Sequence, residues 1–456
     1  MSAPLADSFI ERHREQILAG LYEFVRFPSV STDPAHGSDM AACAQWLAAE
    51  FSRIGLRGEV RATRGHPAVV AASPFRSERP TVLVYGHYDV QPVDPEALWT
   101  HPPFAPHRDG DRLYARGASD NKGPLWAHIK AAEAWMEQTG EVPVNLVFLV
   151  EGEEEVGSAS LPEVVRELGR DRSFRCVVVS DTLMAGRDRP SLTHGLRGLA
   201  YFEVRLRGPN RDLHSGVYGG SVPNPATILC QLLSTCLDAE TGRIAIPGFY
   251  DDVRAVSPEE RAAAAALPFD EVGYRLELGL RGLVGEAGYS TLERRWARPA
   301  LDVNGLFGGF QGAGAKTIIP GEAGAKVSFR LVPDQDPRRV DQLFRAYLAA
   351  MCSPYVDLEI TTIQAGRPYY LPVGHPLIQL ALAAIRDGFG VEPAVTREGG
   401  SVPIVQAFKE ILAAETLLIA LGLSDDNWHA PDEKFELSNL WRGIRTMVSL
   451  YGRLAS

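Results

Sequence analysis

Short apolar runs are spaced along the first 180 residues of the chain and separated by segments of helical periodicity. The runs are TVLVY at 81–85, VNLVFLV at 144–150 and CVVVS at 176–180. Because they lack polar alternation, they predict strands that are buried on both faces of a sheet. The segment between 122 and 140 ends at a glycine and predicts a helix. Buried strands that alternate with helices indicate an α/β fold with a mostly parallel sheet sandwiched by helices.

Two further helices are predicted ahead of the first strand. Ser8 and Glu11 have the spacing of a capping box, which predicts a helix that begins there and ends before Pro28. Ser38 is predicted to cap a second helix, which ends near Gly55. Both segments fit the same α/β pattern.

The pattern changes after about residue 197. FEVRLR at 202–207 and AKVSFRLVP at 325–333 predict antiparallel strands with one exposed face. Residues 240–305 are irregular with helical fragments, and we assign no defined element there. From His375 the α/β pattern resumes with a helix, the strand ETLLIAL at 415–421 and a closing helix from Leu437. We therefore predict an α/β domain at 1–196 and 374–456 that is interrupted by an inserted α+β domain at 197–373.

Composition narrows the class of protein. The chain carries 46 Lys and Arg against 57 Asp and Glu, and its net charge of −11 argues against nucleic acid or an anionic membrane as a partner. We find no apolar run long enough for a membrane helix and no signal peptide at the N-terminus. The five cysteines are scattered, which predicts free thiols in a reducing compartment. We expect a cytoplasmic globular protein.

Acidic residues and histidines follow the predicted strands. The carboxyl ends of parallel strands line the crevice in which sites form in open α/β sheets. Imidazole and carboxylate groups together suit a divalent ion such as zinc, manganese or cobalt. So many anions in one place would be costly without a bound cation. The candidate residues are His87, Asp89, Asp120, Glu154, Glu155, Asp181 and His429.

Each candidate also has an ordinary structural explanation when it is taken alone. The acids from Glu153 to Glu155 suit the start of a helix, where the helix dipole favours negative charge. Asp120 suits a helix N-cap, and His87 and His429 suit hydrogen-bonded loop positions. The coincidence of all of them at strand ends favours a metal site.

Several longer motifs are distributed along the chain. They are YGHYDVQP, ARGASDNKG, EGEEEVGS, VVVSDT, DLHSGVYGG, GAKTIIP, FRLVP and REGGSVP. With these motifs the chain resembles the carnosinase-like dipeptidase branch of the di-zinc metallopeptidases that include glutamate carboxypeptidase, acetylornithine deacetylase and succinyl-diaminopimelate desuccinylase. The resemblance implies a di-zinc exopeptidase-like fold whose inserted domain serves as a lid and a dimerisation domain. It also implies hydrolysis of the peptide bond in dipeptides or short peptides.

The resemblance implies two divalent ions per chain, zinc foremost and manganese or cobalt as alternatives. His87 and Asp181 would hold one ion. Glu155 and His429 would hold the other, and Asp120 would bridge both. Two metal ions that share a bridging carboxylate activate a shared water for attack on the scissile carbonyl.

The resemblance assigns catalytic roles to two further acids. Glu154 would be the general base that takes a proton from the shared water and passes it to the leaving amine. Asp89 would orient the imidazole of His87, from which it is separated by one residue. A cis peptide bond is also expected between Asp120 and Asn121, although Asn121 stands where many relatives carry a second aspartate.

The resemblance places the substrate contacts mainly in the inserted domain. His214 would stabilise the oxyanion, and we expect it to act across the interface of a homodimer. Arg330 would hold the substrate carboxylate, with hydrogen bonds from Thr317 and Ser401. An N-acyl- or N-carbamoyl-amino-acid amidohydrolase on the same scaffold is the alternative function. A non-catalytic peptide-binding protein is less consistent with a complete set of ligands.

Overall fold

The structure of the protein is a computed structural model, which describes residues 2–400 and 403–455. The chain forms two compact units, which are described separately below. The first unit comprises Met1–His194, Leu371–Thr396 and Pro403–Ser456. The second comprises Gly195–Tyr370 and Arg397–Val402.

Helices and strands alternate along the chain. The α-helices of the described residues are α1 (Ser2–Val25), α2 (Gly37–Arg53), α3 (Gly123–Thr139), α4 (Leu161–Arg170), α5 (Ser215–Tyr218), α6 (Pro225–Ser234), α7 (Pro258–Ala265), α8 (Glu271–Glu277), α9 (Thr291–Trp296), α10 (Pro337–Met351), α11 (Pro376–Phe389), α12 (Pro403–Leu412) and α13 (Leu437–Leu454). The strands of the described residues are β1 (Arg57–Arg61), β2 (Ala68–Ala72), β3 (Thr81–His87), β4 (His107–Asp109), β5 (Arg112–Tyr114), β6 (Asn145–Glu151), β7 (Cys176–Val179), β8 (Ser191–Leu196), β9 (Gly198–Arg207), β10 (Leu213–His214), β11 (Ala300–Gly308), β12 (Ile318–Ile319), β13 (Glu322–Leu331), β14 (Asp357–Gly366), β15 (Tyr369–Tyr370), β16 (Ala394–Glu398), β17 (Glu415–Ile419) and β18 (Lys434–Glu436).

A sheet with the strand order β1-β2-β6-β3-β7-β17-β8 is the centre of the first unit, and β16 pairs with β8. Its middle strands β6, β3, β7 and β17 are parallel, whereas β1, β2 and β8 pair antiparallel at the sides. Every residue of β3 and β6 is buried, as expected for strands covered on both faces. The predicted α/β fold with a mostly parallel sheet is confirmed.

Helix α13 organises the helical packing of the first unit, where it contacts α1, α3 and α11. The contact with α11 is close, because a Cβ at Gly388 would lie 2.0 Å from Oγ1 of Thr446. The apolar face predicted for this helix is buried. Its members are Leu437, Leu440, Trp441, Ile444, Met447, Val448 and Tyr451.

The predicted starts of the first two helices are wrong. α1 begins at Ser2 rather than at the capping box of Ser8, because Leu5 and Ala6 are already buried and extend the apolar face toward the N-terminus. α2 begins at Gly37 with His36 in the N-cap position, so Ser38 lies inside the first turn. Burial thus outweighed the local capping pattern in α1, whereas α2 directly continues a 3-10 turn at Pro34–His36 that Asp33 caps.

The second unit is built on an antiparallel sheet with the order β11-β13-β9-β14. Burial alternates along β9, and the buried face packs against α6 and α10. The predicted α+β character of this part of the chain is therefore confirmed. The segment 240–305, where no element was predicted, contains α7, α8 and α9. Both α7 and α9 begin with a capping box, a signal that the apolar pattern alone does not reveal.

The predicted free state of the cysteines is confirmed. All five are free thiols, and Cys43, Cys176 and Cys236 are buried. Burial raises the pKa of Cys43 to about 11 and that of Cys176 to about 12, so both thiols are unreactive near neutral pH. Within the described residues, no helix combines the length and the apolar character that a bilayer crossing requires.

Candidate metal centre

The centre lies at the carboxyl ends of the parallel strands in the sheet of the first unit. β3 is parallel to both of its neighbours, β6 and β7, so the carboxyl ends of all three strands meet at this edge. His87 is the last residue of β3, and Asp181 follows the end of β7. A 3-10 turn at Glu154–Val156 follows β6. The order of the strands therefore gathers residues that are far apart in sequence.

One group of donor atoms comes from His87, Asp120 and Asp181, and these atoms lie within 4.8 Å of one another. Nε2 of His87 is 3.2 Å from Oδ1 of Asp120 and 3.9 Å from Oδ1 of Asp181. The His87 side chain is fully buried, and none of the described residues gives its Nε2 a hydrogen bond. A buried nitrogen of this kind is costly unless another group, such as a metal ion, occupies its lone pair.

A second group comes from Asp120, Glu155 and His429, again with donor atoms within 4.8 Å of one another. Nε2 of His429 is 2.9 Å from Oδ2 of Asp120 and 3.6 Å from Oε2 of Glu155. Oε2 of Glu155 accepts a hydrogen bond of 2.7 Å from Nε2 of Gln91, while its buried Oε1 has no hydrogen-bond partner in the described part of the chain. Asp120 thus turns one oxygen toward each group.

The backbone around Asp120 has an unusual shape. Asp120 lies in a π-helical turn at Ala118–Lys122, which follows a left-handed Gly117 with φ of 79°. The bond between Asp120 and Asn121 is cis, as the resemblance implied. Nδ2 of Asn121 donates to the carbonyl of Ser180 at 2.7 Å and to Oδ1 of Asp181 at 3.1 Å. The side chain of Asn121 therefore orients a member of the first group, which an acceptor-only aspartate does not do.

Asp89 connects the first group to the acidic turn after β6. Nδ1 of His87 is 3.0 Å from the backbone oxygen of Asp89 and 3.4 Å from its Oδ1. The carboxylate of Asp89 accepts the backbone N–H of Glu154 at 3.3 Å and that of Glu155 at 3.1 Å. Asp89 thus holds the imidazole ring through its backbone oxygen and the acidic turn through its buried carboxylate.

The acids of the centre raise one another's pKa values. Burial, together with the charge of Asp181 and other carboxylates, raises the pKa of Glu154 to about 7. Burial and the charge of Asp120 raise the pKa of Glu155 to about 8. The hydrogen bond with Asp120 raises the pKa of His429 to about 9. Burial disfavours the charged form of His87, but the neighbouring carboxylates outweigh it and raise its pKa well above the usual value.

These residues fit a divalent metal. The two groups offer imidazole nitrogens and carboxylate oxygens, the donor types that zinc and similar ions accept. The unsatisfied Nε2 of His87 and Oε1 of Glu155 each belong to a different group. Repulsion among the acids would be relieved by positive charge at this position.

Three contacts around the centre were not foreseen from the sequence. Glu433 accepts hydrogen bonds from the backbone just before Asp120, Gln91 holds Glu155, and Asn121 holds Asp181. Gln91 and Asn121 lie within motifs already noted, two and one residues from predicted site residues. Glu433 lies in the charged run DEKFE, and nothing in that pattern distinguishes it from a surface acid.

The predicted substrate residues that the structure describes belong to the second unit. His214 ends β10 and pairs with Ile318 of β12, and its exposed ring accepts the N–H of Gly216 through Nδ1 at 3.0 Å. Thr317 lies beside it, since its carbonyl accepts the N–H of Ser215 at 3.0 Å. Arg330 is half-buried on β13, in a different sheet. Ser401 lies outside the described residues.

Comparison with known proteins identifies the family. The model of the peptidase family M20/M25/M40 matches residues 83–453. The chain belongs to this family. The predicted metallopeptidase is therefore confirmed, and the ligand groups described above agree with the binding of a divalent metal.

Full-length relatives of this M20 peptidase are known. The chain is 34% identical to the Cys-Gly metallodipeptidase dug1 of Schizosaccharomyces pombe, over 98% of this chain and 97% of the relative. It is 32% identical to the human Beta-Ala-His dipeptidase, over 98% of this chain and 92% of the relative. Among solved structures it is similar to the M20 family metallo-carboxypeptidase Sso-CP2 from Sulfolobus solfataricus. That similarity has a TM-score of 0.83 and 32% identity, and it covers 96% of this chain and 99% of the other.

Proposed function

We propose that the protein is a dinuclear metallodipeptidase, which hydrolyses the peptide bond of dipeptides. The observation that carries the proposal is the position of Asp120, whose two oxygens face two separate groups of donor atoms. A carboxylate shared in this way is suited to bridge a pair of divalent ions. The dipeptide substrate is supported by the names of the yeast and human relatives.

The two ions would have different ligands. His87 and Asp181 would hold the first, and Glu155 and His429 the second, with Asp120 common to both. Each site would then offer one imidazole and two carboxylates, a set that suits zinc and also accommodates manganese or cobalt. When bound, the ions supply Lewis acidity, which polarises the scissile carbonyl and lowers the pKa of water.

Glu154 is suited to move the proton. It is next to a proposed ligand, and bound ions would keep its carboxylate ionised, as a group that accepts a proton from water must be. The carboxylate of Asp89 accepts a hydrogen bond from the backbone N–H of Glu154, so the backbone that carries the base is held in place. Asp89 also faces Nδ1 of His87, which keeps Nε2 directed toward the first group of ligands.

The second unit would supply the substrate contacts. Because Nδ1 of His214 accepts an N–H, the neutral ring carries its proton on Nε2, and this exposed donor suits an oxyanion. The guanidinium of Arg330 would hold the terminal carboxylate of the substrate, with hydrogen bonds from Thr317 and Ser401.

The assembly and the location of the protein are part of the same proposal. Residues 1–196 and 374–456 would form the catalytic domain, and residues 197–373 a lid and dimerisation domain. In the resulting homodimer, His214 would act on the centre of the partner chain. The five free thiols are consistent with a cytoplasmic location.

A substrate panel with metal-depleted protein tests this function. Dipeptides should be cleaved fastest, with activity lost on chelation and restored by zinc, manganese or cobalt. The solved metallo-carboxypeptidase at 32% identity favours a second candidate, the removal of C-terminal residues from longer peptides. Faster cleavage of longer peptides would support that candidate. Preference for N-acetyl, N-succinyl or N-carbamoyl amino acids would instead identify an amidohydrolase and contradict the proposal.

A further inference from the structure

Glu433 is a fully buried carboxylate whose two oxygens are surrounded by donors. Oε1 accepts the backbone N–H of Ser119 at 2.9 Å and that of Asp120 at 3.0 Å. Oε2 accepts the backbone N–H of Gly117 and a guanidinium N–H of Arg116, both at 2.8 Å. One side chain thus satisfies three backbone donors, those of Gly117, Ser119 and Asp120, in the turn that carries Asp120.

The charge of Glu433 is balanced locally. The guanidinium of Arg116 is itself buried, donates a second hydrogen bond to the carbonyl of Pro92 at 3.1 Å and stacks over the ring of Trp99 at 5.1 Å. A buried ion pair that several hydrogen bonds hold in place is a rigid attachment point, because each partner is costly to release. The turn before Asp120 is therefore held by a fixed anion rather than by solvent.

Glu433 also lies four residues after His429, which has a left-handed backbone with φ of 59°. The segment before this histidine is tied to the same turn. Oγ of Ser119 donates to Oδ2 of Asp426 at 2.6 Å, and Nε1 of Trp428 donates to Oγ of Ser119 at 2.9 Å. The loop of His429 is thus fastened to the turn of Asp120 on both of its sides.

We propose that Glu433 is a positioning residue for the ion site formed by Asp120, Glu155 and His429. Nε2 of His429 and Oδ2 of Asp120 are 2.9 Å apart although 309 residues separate them in sequence. Glu433 joins the backbone next to one ligand to the chain next to the other, so it sets the distance between them. The inference rests on the proposed function, since it requires these three residues to be ligands.

Replacement of Glu433 by glutamine would keep its shape but replace one acceptor oxygen with an N–H₂ group. Two of the four surrounding donors would then face another donor. The turn would move to relieve this contact, and the two ligand atoms would no longer hold their spacing. Loss of a group that orients metal ligands typically lowers metal affinity by about 10–100-fold.

The test is a calorimetric titration of metal-stripped, full-length protein with Zn²⁺, for the wild type, E433Q and E436Q. Glu436 is the matched control, because it is a buried carboxylate three residues further along the chain that pairs with Arg112, Arg187 and Lys434 instead. We expect E433Q to bind one of two ions about 10–100-fold more weakly, with a smaller loss for the other ion, because Asp120 is common to both. E436Q should bind both ions like the wild type. Excess Zn²⁺ should restore most of the kcat of E433Q, with KM little changed.

Wild-type affinity for both ions in E433Q would overturn the inference, as would an equal loss in E436Q. If E433Q does not fold, as judged by circular dichroism, E433D replaces it, because aspartate keeps the charge but shortens the reach. Failure of both variants to fold would also overturn the inference, since Glu433 would then be a requirement of the fold. The wild-type titration separates the two claims. Fewer than two ions there refutes the dinuclear centre, whereas two ions with unaltered binding in E433Q refutes only the role of Glu433.

Discussion

Removal of the divalent ions should make the protein take up protons near neutral pH. In the metal-free centre, burial and neighbouring charges raise the pKa of Glu155 to about 8 and that of Glu154 to about 7. The hydrogen bond with Asp120 raises the pKa of His429 to about 9. Metal ligands must be deprotonated, and a nearby cation favours the ionised form of Glu154, so these protons leave when ions bind.

The size of the effect follows from these values. At about pH 6.5 the three groups together hold about two to three protons per chain in the metal-free state. At about pH 8.5 they hold about one, mainly on His429. Binding of Zn²⁺ should therefore release at least about two to three protons at the lower pH and fewer at the higher pH, and His87, whose pKa is also raised well above its usual value, adds to the release.

The same protons make the stability of the stripped protein depend on pH. The folded-state pKa of Glu155 lies above its usual value of 4.5, so its contribution is complete below about pH 4.5 and is lost as pH rises toward 8. The free energy of unfolding should fall by up to about 1.4 kcal/mol per pH unit for each such group within that window. The metal-loaded protein should lack this decline, because the ions keep both acids ionised.

Calorimetry in buffers of different ionisation enthalpy measures the released protons directly. Glu155→Gln removes one titrating group and should also lose the ion that deprotonates His429, so the release should fall by about two protons at about pH 6.5. Glu436→Gln, which changes a buried acid elsewhere in the first unit, should leave it unchanged. Release of less than about half a proton, or a release that does not vary with pH, would refute the electrostatic account of the centre.

Three further predictions concern individual residues. Glu154→Gln should lower kcat by about 10²–10⁴ without loss of metal, whereas Glu155→Gln should lose one ion; equal metal contents by elemental analysis would contradict this assignment. A re-paired mixture of inactive His214→Ala and Glu154→Ala chains should regain roughly a quarter of wild-type activity, and no recovery would exclude a site shared between subunits. Burial lowers the pKa of His128 to about 3, so stability should be complete above about pH 6.5 and decline below it. His128→Gln should flatten that decline in urea unfolding of stripped protein, and an unchanged slope would argue against it.

The sequence predicted the parts of the fold that depend on burial. The runs that became β3, β6 and β7 are apolar along their whole length, so their burial and their parallel arrangement could be inferred. The start of α1 could not be inferred from the sequence, because Leu5 is buried only in the context of the folded core. The helices within 240–305 are short and mostly exposed, so the helical fragments seen in the sequence could not be delimited by apolar periodicity.

The residues of the candidate centre also fall into those that could be predicted from the sequence and those that could not. Residues at strand ends, such as His87 and Asp181, could be grouped because the topology of a parallel sheet dictates where strands end. The residues that orient them could not be inferred from periodicity. Glu433 acts through backbone N–H groups more than 300 residues away, and no local pattern records such a contact. The roles of the individual site residues remain a proposal.

Anomalous diffraction from crystals of the zinc-loaded protein tests the dinuclear centre most directly. Two peaks about 3.5–4 Å apart are expected, one beside His87 and Asp181 and the other beside Glu155 and His429. The carboxylate of Asp120 should lie between them, with one oxygen on each ion. A single peak, or two peaks of which only one contacts Asp120, would contradict the account.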